Sequence, residues 1–512
     1  GAVRVEYGVF ENPLKMDINM GTAGNILTDE DELTLNFDIR NRDSEEVSIK
    51  VNGDVYDSLG RCIETIPEQN FSTAPLEEKT EKISIKNPKT YGLYRIKGKM
   101  EIDYKSQNKT ITKEFTEKFS LSVKMTENEQ SDIYGTCHQI MAYGMGSPED
   151  VGSVLKNVGA RYIRDNIIYA EKIDGKWRVP DNLVEGWKSL HDQGITIIGI
   201  LLGVKNGIAR NDSEVEEYAQ YCEDVAEQLK GIIDVFEFMN ETSSPNSAVG
   251  EPSIEWYTKM VKAAYPRIKK VQPESTCLGF VVGGYANNAI DFDYIEQGLE
   301  LGVYPYIDGI SVHPYNWGSF KEIELMEESK KLKELMSKYG EVKPVWVTEY
   351  GFSTFQGNGA YTRREQYQNL ILSRAIMSGY NLFDKYIQYC LCNRPDVTDY
   401  ESNWGLLEYY YDEESPFAAK ESYIAMAAYN RFVNKNTEIK DVLGADSIYA
   451  FHYYNNAMAK DILLVQSNVL ETSHKAYRLG CESIDLYDAF GNKQETLYSD
   501  NGVYHFTVSK EP

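Results

Sequence analysis

The chain has 512 residues, of which 42% are hydrophobic and 12% aromatic, including 38 tyrosines. This composition is typical of a folded protein and excludes a largely disordered one, and the length allows about three domains of ordinary size. The formal net charge of -26 argues against nucleic acid as a partner, because a polyanion would be repelled at long range. Neutral ligands remain open.

The longest apolar run, ITIIGILLGV at 195–204, is about half as long as a membrane-spanning helix. It predicts a buried strand, and no membrane span is expected. The seven cysteines include no pair of CxxC motifs, so we expect no metal site. The sequence begins with Gly1 and Ala2 rather than Met, from which we expect a processed or engineered start whose signal peptide, if there was one, has been removed.

Short runs with apolar and polar residues in alternation predict a sheet domain at each end of the chain. LTLNFDIRN, VSIKVNGDVYDS and KISIKNP, separated by turn residues, predict an antiparallel, Ig-like β-sandwich domain over residues 1–125. The pattern returns in SIYAFHYYNN, ILLVQSN, SIDLYDAFGN and GVYHFTV, which predict a small C-terminal β-sandwich domain over 436–512.

Residues 126–435 instead alternate strand-like runs with amphipathic helices. The helix boundary signals are Ser147 before Pro148, Gly159, and two capping boxes formed by Ser213 with Glu216 and by Thr362 with Glu365. Eight strands are predicted, in YGTCH, ARYIRD, TIIGILLG, IDVFEFMNE, CLGFVVGG, IDGISVHPY, VWVTEYG and KYIQYCLC.

The strand ends recur every 25–45 residues or so, which is the spacing of a (β/α)8 TIM barrel of the α/β class. A doubly wound open sheet has a similar rhythm, but no GxGxxG motif follows any strand to support nucleotide binding. We therefore favour a catalytic barrel over residues 126–435.

Polar residues at the carboxyl ends of barrel strands converge on one rim, where the chemistry of such barrels takes place. Two of them are carboxylates, Glu241 after strand four and Glu349 on strand seven; the others are Arg164, Asn240, His313 and Tyr315. Cleaving a glycosidic bond requires one acid for the leaving oxygen and one carboxylate for the anomeric carbon. We predict that Glu349 is the nucleophile, kept ionised by Arg164 and Tyr315. Glu241 is then the acid, and its pKa is expected to be raised by the nearby negative charge.

These motifs resemble those of the clan A retaining glycoside hydrolases, with family 39 and its relatives as the closest. The matching segments are YIRD on strand two, FEFMNE on strand four, SVHPY on strand six and VWVTEYGF on strand seven, with ESNWGLLEYY and AAKESYIAMAAYNRF after strand eight. The resemblance covers about residues 130–435, and the C-terminal sheet resembles the small sandwich often attached to such barrels.

The resemblance implies that Asn240 binds the 2-hydroxyl group of the sugar. Two positions depart from the family pattern: Thr242 stands where a proline commonly follows the acid/base residue, and strand three lacks the histidine found in some clan A families. Both departures bear on which family of the clan is the nearest.

Aromatic side chains near the rim are candidates for packing against a sugar ring. The candidates are Trp317, Trp346 and Trp404. Trp346 lies inside a strand and is expected in the core. Trp404, in a loop after strand eight, is the better platform for a sugar ring. His138, at the end of strand one, is a weaker candidate for the same subsite.

The sequence thus predicts an extracellular or cell-surface retaining hydrolase that cleaves β-glycosidic bonds of oligo- or polysaccharides without a cofactor. An inactive carbohydrate-binding barrel is the alternative from another class, although binding alone needs neither Glu241 nor Glu349. A transglycosylase would use the same residues and differ only in its acceptor.

Overall fold

The computed structural model describes residues 14–138, 146–167, 170–203, 207–244, 253–284, 289–315, 322–355, 357, 361–396, 398–412, 416–444, 448–467 and 473–508. The chain divides into two compact units. One comprises Gly1–Lys124 with Asp412–Lys420, and the other comprises Met125–Tyr411 with Glu421–Pro512. Among the described residues, no helix combines the length and apolar character that crossing a membrane requires.

The first unit is a sandwich of two sheets. A three-stranded sheet has the order β1-β3-β6 and a five-stranded sheet has the order β2-β8-β7-β4-β5. The strands are β1 Leu14–Asn19, β2 Ile26–Thr28, β3 Thr34–Asn41, β4 Val47–Asp57, β5 Cys62–Thr73, β6 Glu78–Ser84, β7 Gly92–Tyr104 and β8 Lys109–Ser122. Alternate residues of β3, such as Leu35, Phe37 and Ile39, are buried in its core. The period-two pattern therefore predicted the inward faces correctly.

The second unit contains a closed barrel of eight parallel strands. They are β9 Tyr134–Cys137, β10 Tyr162–Ile167, β13 Thr196–Leu201, β14 Val235–Phe238, β15 Thr276–Gly283, β16 Gly309–His313, β17 Val345–Tyr350 and β18 Lys385–Gln388, with β18 pairing back to β9. A small hairpin of β11 Glu171–Ile173 and β12 Lys176–Arg178 follows β10. All eight predicted strands are present, and the predicted fold class, a TIM barrel with flanking β-sandwich regions, is confirmed.

Eight helices are described in this unit, and most connect successive barrel strands. They are α1 Pro148–Asn157, α2 Asp181–Asp192, α3 Asp212–Gln228, α4 Ile254–Val271, α5 Phe292–Glu300, α6 Glu322–Ser337, α7 Arg363–Gly379 and α8 Glu421–Phe432. As predicted, Ser147 caps α1, Gly159 follows it with a φ of 77°, and Thr362 with Glu365 forms a capping box on α7. The predicted cap at Ser213 is wrong. Asn211 accepts the hydrogen bond from the backbone N–H of Glu214, which places Ser213 inside α3.

The C-terminal part of the second unit consists of antiparallel strands. They are β19 Thr437–Gly444, β20 Ile448–Asn455, β21 Lys460–Ser467, β22 Ser473–Arg478, β23 Ser483–Tyr487, β24 Lys493–Tyr498 and β25 Val503–Val508. The strands β19, β20 and β21 form one sheet, whereas β22 pairs with β25 and β23 with β24. The four predicted strand segments of this region all coincide with observed strands.

An apolar layer lies in the barrel beneath the polar rim residues. Tyr162, Val235 and Trp346 belong to one buried cluster, and each stands two residues before a polar residue on its own strand. Residues two apart on a strand share a face, so the apolar layer supports the polar layer above it. Trp346, with 8% of its surface exposed, is a core residue as predicted.

Ser213 and Thr362, the first residues of the two predicted capping boxes, allow a matched test of where α3 and α7 begin. Thr362→Ala removes the side-chain cap of α7 and should lower the free energy of unfolding by about 1 kcal/mol. Ser213→Ala changes an exposed position inside α3 and should have no destabilising effect, because alanine has the higher helix propensity. Thermal unfolding, with hydrogen exchange at the first amides of each helix, measures both; equal losses would contradict the assignment of the caps.

Candidate active site

The guanidinium group of Arg164, on β10, is the centre of the polar layer. It is 3% exposed and donates in three directions: Nε to Oε2 of Glu237 at 2.5 Å, Nη1 to Oε1 of Glu349 at 2.6 Å and Nη2 to Oδ1 of Asn240 at 2.7 Å. Burial acts to lower the pKa of Arg164, but the charges of Glu237 and Glu349 raise it, and the net shift is upward. A buried cation with both carboxylates as partners stays charged.

Glu349 lies within β17 and receives a second contact from Tyr315. The Tyr315 hydroxyl group donates to Oε2 of Glu349 over 3.5 Å, a long hydrogen bond. Burial, together with the negative charge of Glu349, raises the pKa of Tyr315 well above its usual value. The phenol therefore remains protonated and can serve as a donor.

Glu241 follows β14 in a backbone turn that few residues adopt. Its φ is 45° and that of Met239 is 68°, both in the left-handed region that non-glycine residues avoid. Such strain, typically about 1–3 kcal/mol per residue, persists where surrounding contacts hold it in place. Here the Thr242 hydroxyl group donates to the Phe280 carbonyl at 2.7 Å, and Ser244 N–H donates to the Glu241 carbonyl at 3.1 Å. Thr242, at the position where a proline is common, thus anchors the turn through its side chain.

His313, at the end of β16, bridges the two glutamates and is fully buried. Its Nδ1 atom is 3.1 Å from Oε1 of Glu241 and 3.7 Å from Oε2 of Glu349, and its Nε2 atom is 3.1 Å from Oγ1 of Thr348. His313 therefore lies closer to the carboxylate of Glu241 than to that of Glu349.

The predicted direction of the Glu241 pKa shift is wrong. Burial does raise the pKa of this carboxyl group, but the hydrogen bond and positive charge of His313, with the charge of Arg164, outweigh burial and lower it. The sequence indicates the nearby negative charge of Glu349 but not the contact with His313 on β16. In the free protein, the contacts of Glu241 therefore favour its charged form.

The remaining predicted residues are more deeply enclosed than expected. Trp404 is 4% exposed and its ring meets those of Tyr315, Tyr389 and Tyr400 at centroid distances of 5.6, 5.7 and 5.4 Å. It supports an aromatic cluster beside Glu349 instead of presenting an open ring face. His138 is 3% exposed, with Nδ1 3.8 Å from Sγ of Cys392. Trp317 lies outside the described residues.

Three polar residues of the site were missed as functional candidates: Glu237, Ser311 and Thr348. Glu237 is fully buried and accepts hydrogen bonds from Arg164 and Ser311, and Ser311 is in hydrogen-bond contact with Thr348. A signal was present, because a glutamate between two phenylalanines of a buried strand requires partners. Ser311 also stands two residues before His313, on the same face of β16.

Carboxylate oxygens of Glu241 and Glu349 and a ring nitrogen of His313 all lie within 4.8 Å of one another. In the described part of the chain, this is the one group of acidic, histidine or cysteine side chains with a spacing that a metal ion could bridge. Direct hydrogen bonds and ion pairs with Arg164 and His313 already compensate both carboxylates.

Comparisons with known proteins relate this chain to glycoside hydrolases. A family model described as "Glycosyl hydrolase catalytic core" matches residues 262–412. Among solved structures, a family 39 glycoside hydrolase from the gut symbiont Bacteroides cellulosilyticus WH2 shares the fold with a TM-score of 0.70, at 17% identity over 96% of this chain and 98% of that one. The predicted similarity of fold to a family 39 enzyme is thereby confirmed, and the class of enzyme is a glycoside hydrolase.

Two further structures are more distant. Bacteroides uniformis beta-glucuronidase 2 has a TM-score of 0.41 at 13% identity over 97% of this chain and 58% of that one. A GH2 beta-galacturonidase from Eisenbergiella tayi has a TM-score of 0.42 at 15% identity over 78% and 69%. These scores are too low to support an inference about this protein. A comparison with curated protein sequences finds no match.

The effect of His313 on Glu241 can be measured directly. His313→Ala removes the donor that lowers the pKa of Glu241, so burial should then dominate and the carboxyl group should titrate at higher pH than in the wild type. Carboxyl 13C NMR of glutamate-labelled protein measures this titration. His452→Ala, which removes a histidine 2.8 Å from Asp461 on β21, is the control and should leave Glu241 unchanged. A titration of Glu241 at the same or lower pH in His313→Ala would contradict the account.

Proposed function

We propose that the protein is a retaining β-glycoside hydrolase in which Glu349 is the nucleophile and Glu241 the acid/base. The observation that carries the proposal is the approach of their carboxylate oxygens to within 4.8 Å. Retaining enzymes place the two carboxyl groups about 5–5.5 Å apart, whereas inverting enzymes need about 6.5–9.5 Å to admit a water molecule. The observed spacing favours direct attack by a carboxylate.

The contacts of Glu349 suit it to attack the anomeric carbon. Arg164 and Tyr315 hold one oxygen each, which orients the carboxylate. When Glu349 loses its negative charge in the glycosyl-enzyme intermediate, Arg164 keeps Glu237 as an ionic partner. The attack therefore leaves no unpaired buried cation, which would be costly.

Asn240 is placed to bind the sugar beside the nucleophile. Because Arg164 holds its carbonyl oxygen at 2.7 Å, the NH2 group is the end that can donate to a sugar hydroxyl group. This supports the role in 2-hydroxyl binding that the family resemblance implies.

Glu241 would protonate the leaving oxygen in the first step and take a proton from water in the second. The two steps return the site to its starting protonation. We further propose oligo- or polysaccharide substrates and an extracellular or cell-surface location. Hydrolysis of any member of a panel of 4-nitrophenyl β-glycosides and polysaccharides would distinguish this function from an inactive binding barrel, and product analysis with added acceptor sugars would identify a transglycosylase.

The nucleophile can be identified by covalent trapping. A 2-deoxy-2-fluoro-β-glycosyl fluoride, of the sugar selected with the 4-nitrophenyl panel, should label Glu349, because the fluorine slows hydrolysis of the intermediate. Glu349→Gln should lower kcat by at least about 10³-fold. Glu216→Gln, which alters an exposed glutamate paired with Arg267, should retain activity. A label mapped to another carboxylate, with normal turnover in Glu349→Gln, would refute the assignment.

The acid/base role of Glu241 predicts a dependence on the leaving group. Glu241→Ala should lower kcat/KM by about 10²–10⁴-fold for alkyl glycosides, whose leaving groups need protonation, and far less for activated aryl glycosides. With the activated substrates, added azide should restore turnover by attacking the intermediate and giving a β-glycosyl azide. Equal losses for all leaving groups, without rescue by azide, would show that Glu241 does not transfer the proton.

A further inference from the structure

A buried series of hydrogen bonds runs from Glu241 into the interior of the barrel. His313 contacts Glu241 through Nδ1 and Thr348 through Nε2, each at 3.1 Å. The Thr348 hydroxyl group is in hydrogen-bond contact with that of Ser311, which donates to Oε1 of Glu237 at 2.8 Å. Apart from Glu241 at its outer end, every side chain of the series is fully buried. We call this series the Glu237 relay.

The donors and acceptors of the Glu237 relay fix its direction. Glu237 is ion-paired with Arg164 through its other oxygen, and an ionised carboxylate can only accept. Ser311 must give its single hydroxyl hydrogen to Glu237, so its oxygen is left to accept from Thr348. Thr348 has then used its own hydrogen, and its oxygen can only accept from the ring nitrogen of His313.

We propose that Glu237 is a positioning residue that, through Ser311 and Thr348, keeps Nε2 of His313 protonated and leaves Nδ1 to share one proton with Glu241. Two arrangements satisfy every group of the relay. In one, His313 is doubly protonated and donates to the Glu241 carboxylate; in the other, Glu241 is protonated and donates to the lone pair of Nδ1. The two differ only in the position of one proton between Nδ1 and Glu241.

A purely structural role for Glu237 explains less of the geometry. Neutralising Arg164 requires the contact of Oε2 with Nε, but not the hydrogen bond between Oε1 and Ser311. The hydroxyl groups of Ser311 and Thr348 join Glu237 on β14 to His313, two strands away on β16. When the donors and acceptors of a buried series can be satisfied in one direction only, the series fixes the tautomer of the histidine at its end.

The relay also accounts for a Glu241 carboxyl group whose pKa is lowered in the free protein. The catalytic consequence rests on the function proposed above. The proton held between Nδ1 and Glu241 passes to the leaving oxygen as the glycosidic bond breaks. In the second step, the attacking water returns a proton to the same pair, so the protons balance over one turnover.

Nitrogen NMR of the free protein tests the proposal without any substrate. In protein labelled with 15N-histidine, with His313 assigned from the spectrum of His313→Gln, Nε2 should remain protonated across the pH range of folding. In Glu237→Gln the carbonyl oxygen of the new amide should face Arg164 and its NH2 group Ser311, which reverses the relay. Nε2 should then lose its proton and give the signal of an unprotonated nitrogen.

Ser311→Ala and Asp224→Asn complete the set of variants. Ser311→Ala breaks the relay but keeps the ion pair of Glu237 with Arg164, so it tests the relay even if Glu237→Gln fails to fold. It should show an unprotonated Nε2 signal in part of the pH range. Asp224→Asn alters another buried carboxylate, on α3, which accepts from the backbone N–H of Trp177 and the side-chain amide of Gln220. This variant should leave the signals of His313 as in the wild type. An unprotonated Nε2 in the wild type, or unchanged His313 signals in the relay variants, would overturn the proposal.

Kinetics separates this role from one in stability. In Ser311→Ala, kcat/KM for alkyl β-glycosides should fall by about tenfold or more, while activated aryl glycosides of the same sugar should change little. Asp224→Asn should show no dependence on the leaving group. If His313 gives the expected NMR signals but no glycoside is cleaved, the proposed function fails and the positioning role of Glu237 stands. If a retaining activity is found but Nε2 of His313 is unprotonated in the wild type, only the positioning role fails.

Discussion

The structure of the site depends on one buried cation with three acceptors. Arg164 can lie inside the barrel only because Glu237, Glu349 and Asn240 receive its donors, and loss of one partner from such a buried pair typically costs about 3–5 kcal/mol. The contacts tie β10 to β14, β17 and the turn after β14. They fix the relative positions of Glu349, the proposed nucleophile, and the Asn240 amide before any substrate arrives, which is the pre-organisation that catalysis requires.

The same cation helps to give two similar carboxylates different surroundings. Glu349 faces the guanidinium group of Arg164 and the phenol of Tyr315, which each donate to one of its oxygens. Glu241 instead faces the imidazole ring of His313, with which we propose that it shares a proton. It lies in the strained turn that follows β14. Glu237 belongs to both environments, because one of its oxygens meets Arg164 and the other leads to His313 through two hydroxyl groups. A third carboxylate, buried below the rim, is therefore linked through Arg164 and His313 to both Glu349 and Glu241.

The barrel and the convergence of Glu241 and Glu349 were predictable because each strand carries its own signal. Apolar runs with a polar residue at the carboxyl end mark both a strand and its contribution to the rim, so Glu241 and Glu349 could be paired across 108 positions of sequence. Three of the failures share a cause, which is that their outcome depends on a neighbour from another element. The pKa shift of Glu241 is set by His313, the enclosure of Trp404 by three tyrosines, and the role of Glu237 by Arg164 and Ser311. The cap at Asn211 instead of Ser213 is a local competition between two good capping residues.

The central claim is that Glu349 attacks the anomeric carbon directly, from a carboxylate held by Arg164 and within a few ångströms of Glu241. Proton NMR of the first product released from a β-glycoside, recorded before mutarotation, tests this most directly. The account predicts that the new reducing end appears first as the β-anomer, because two displacements restore the starting configuration. An initial α-anomer would show a single displacement by water and would contradict the account, even with the barrel and both glutamates in their assigned places.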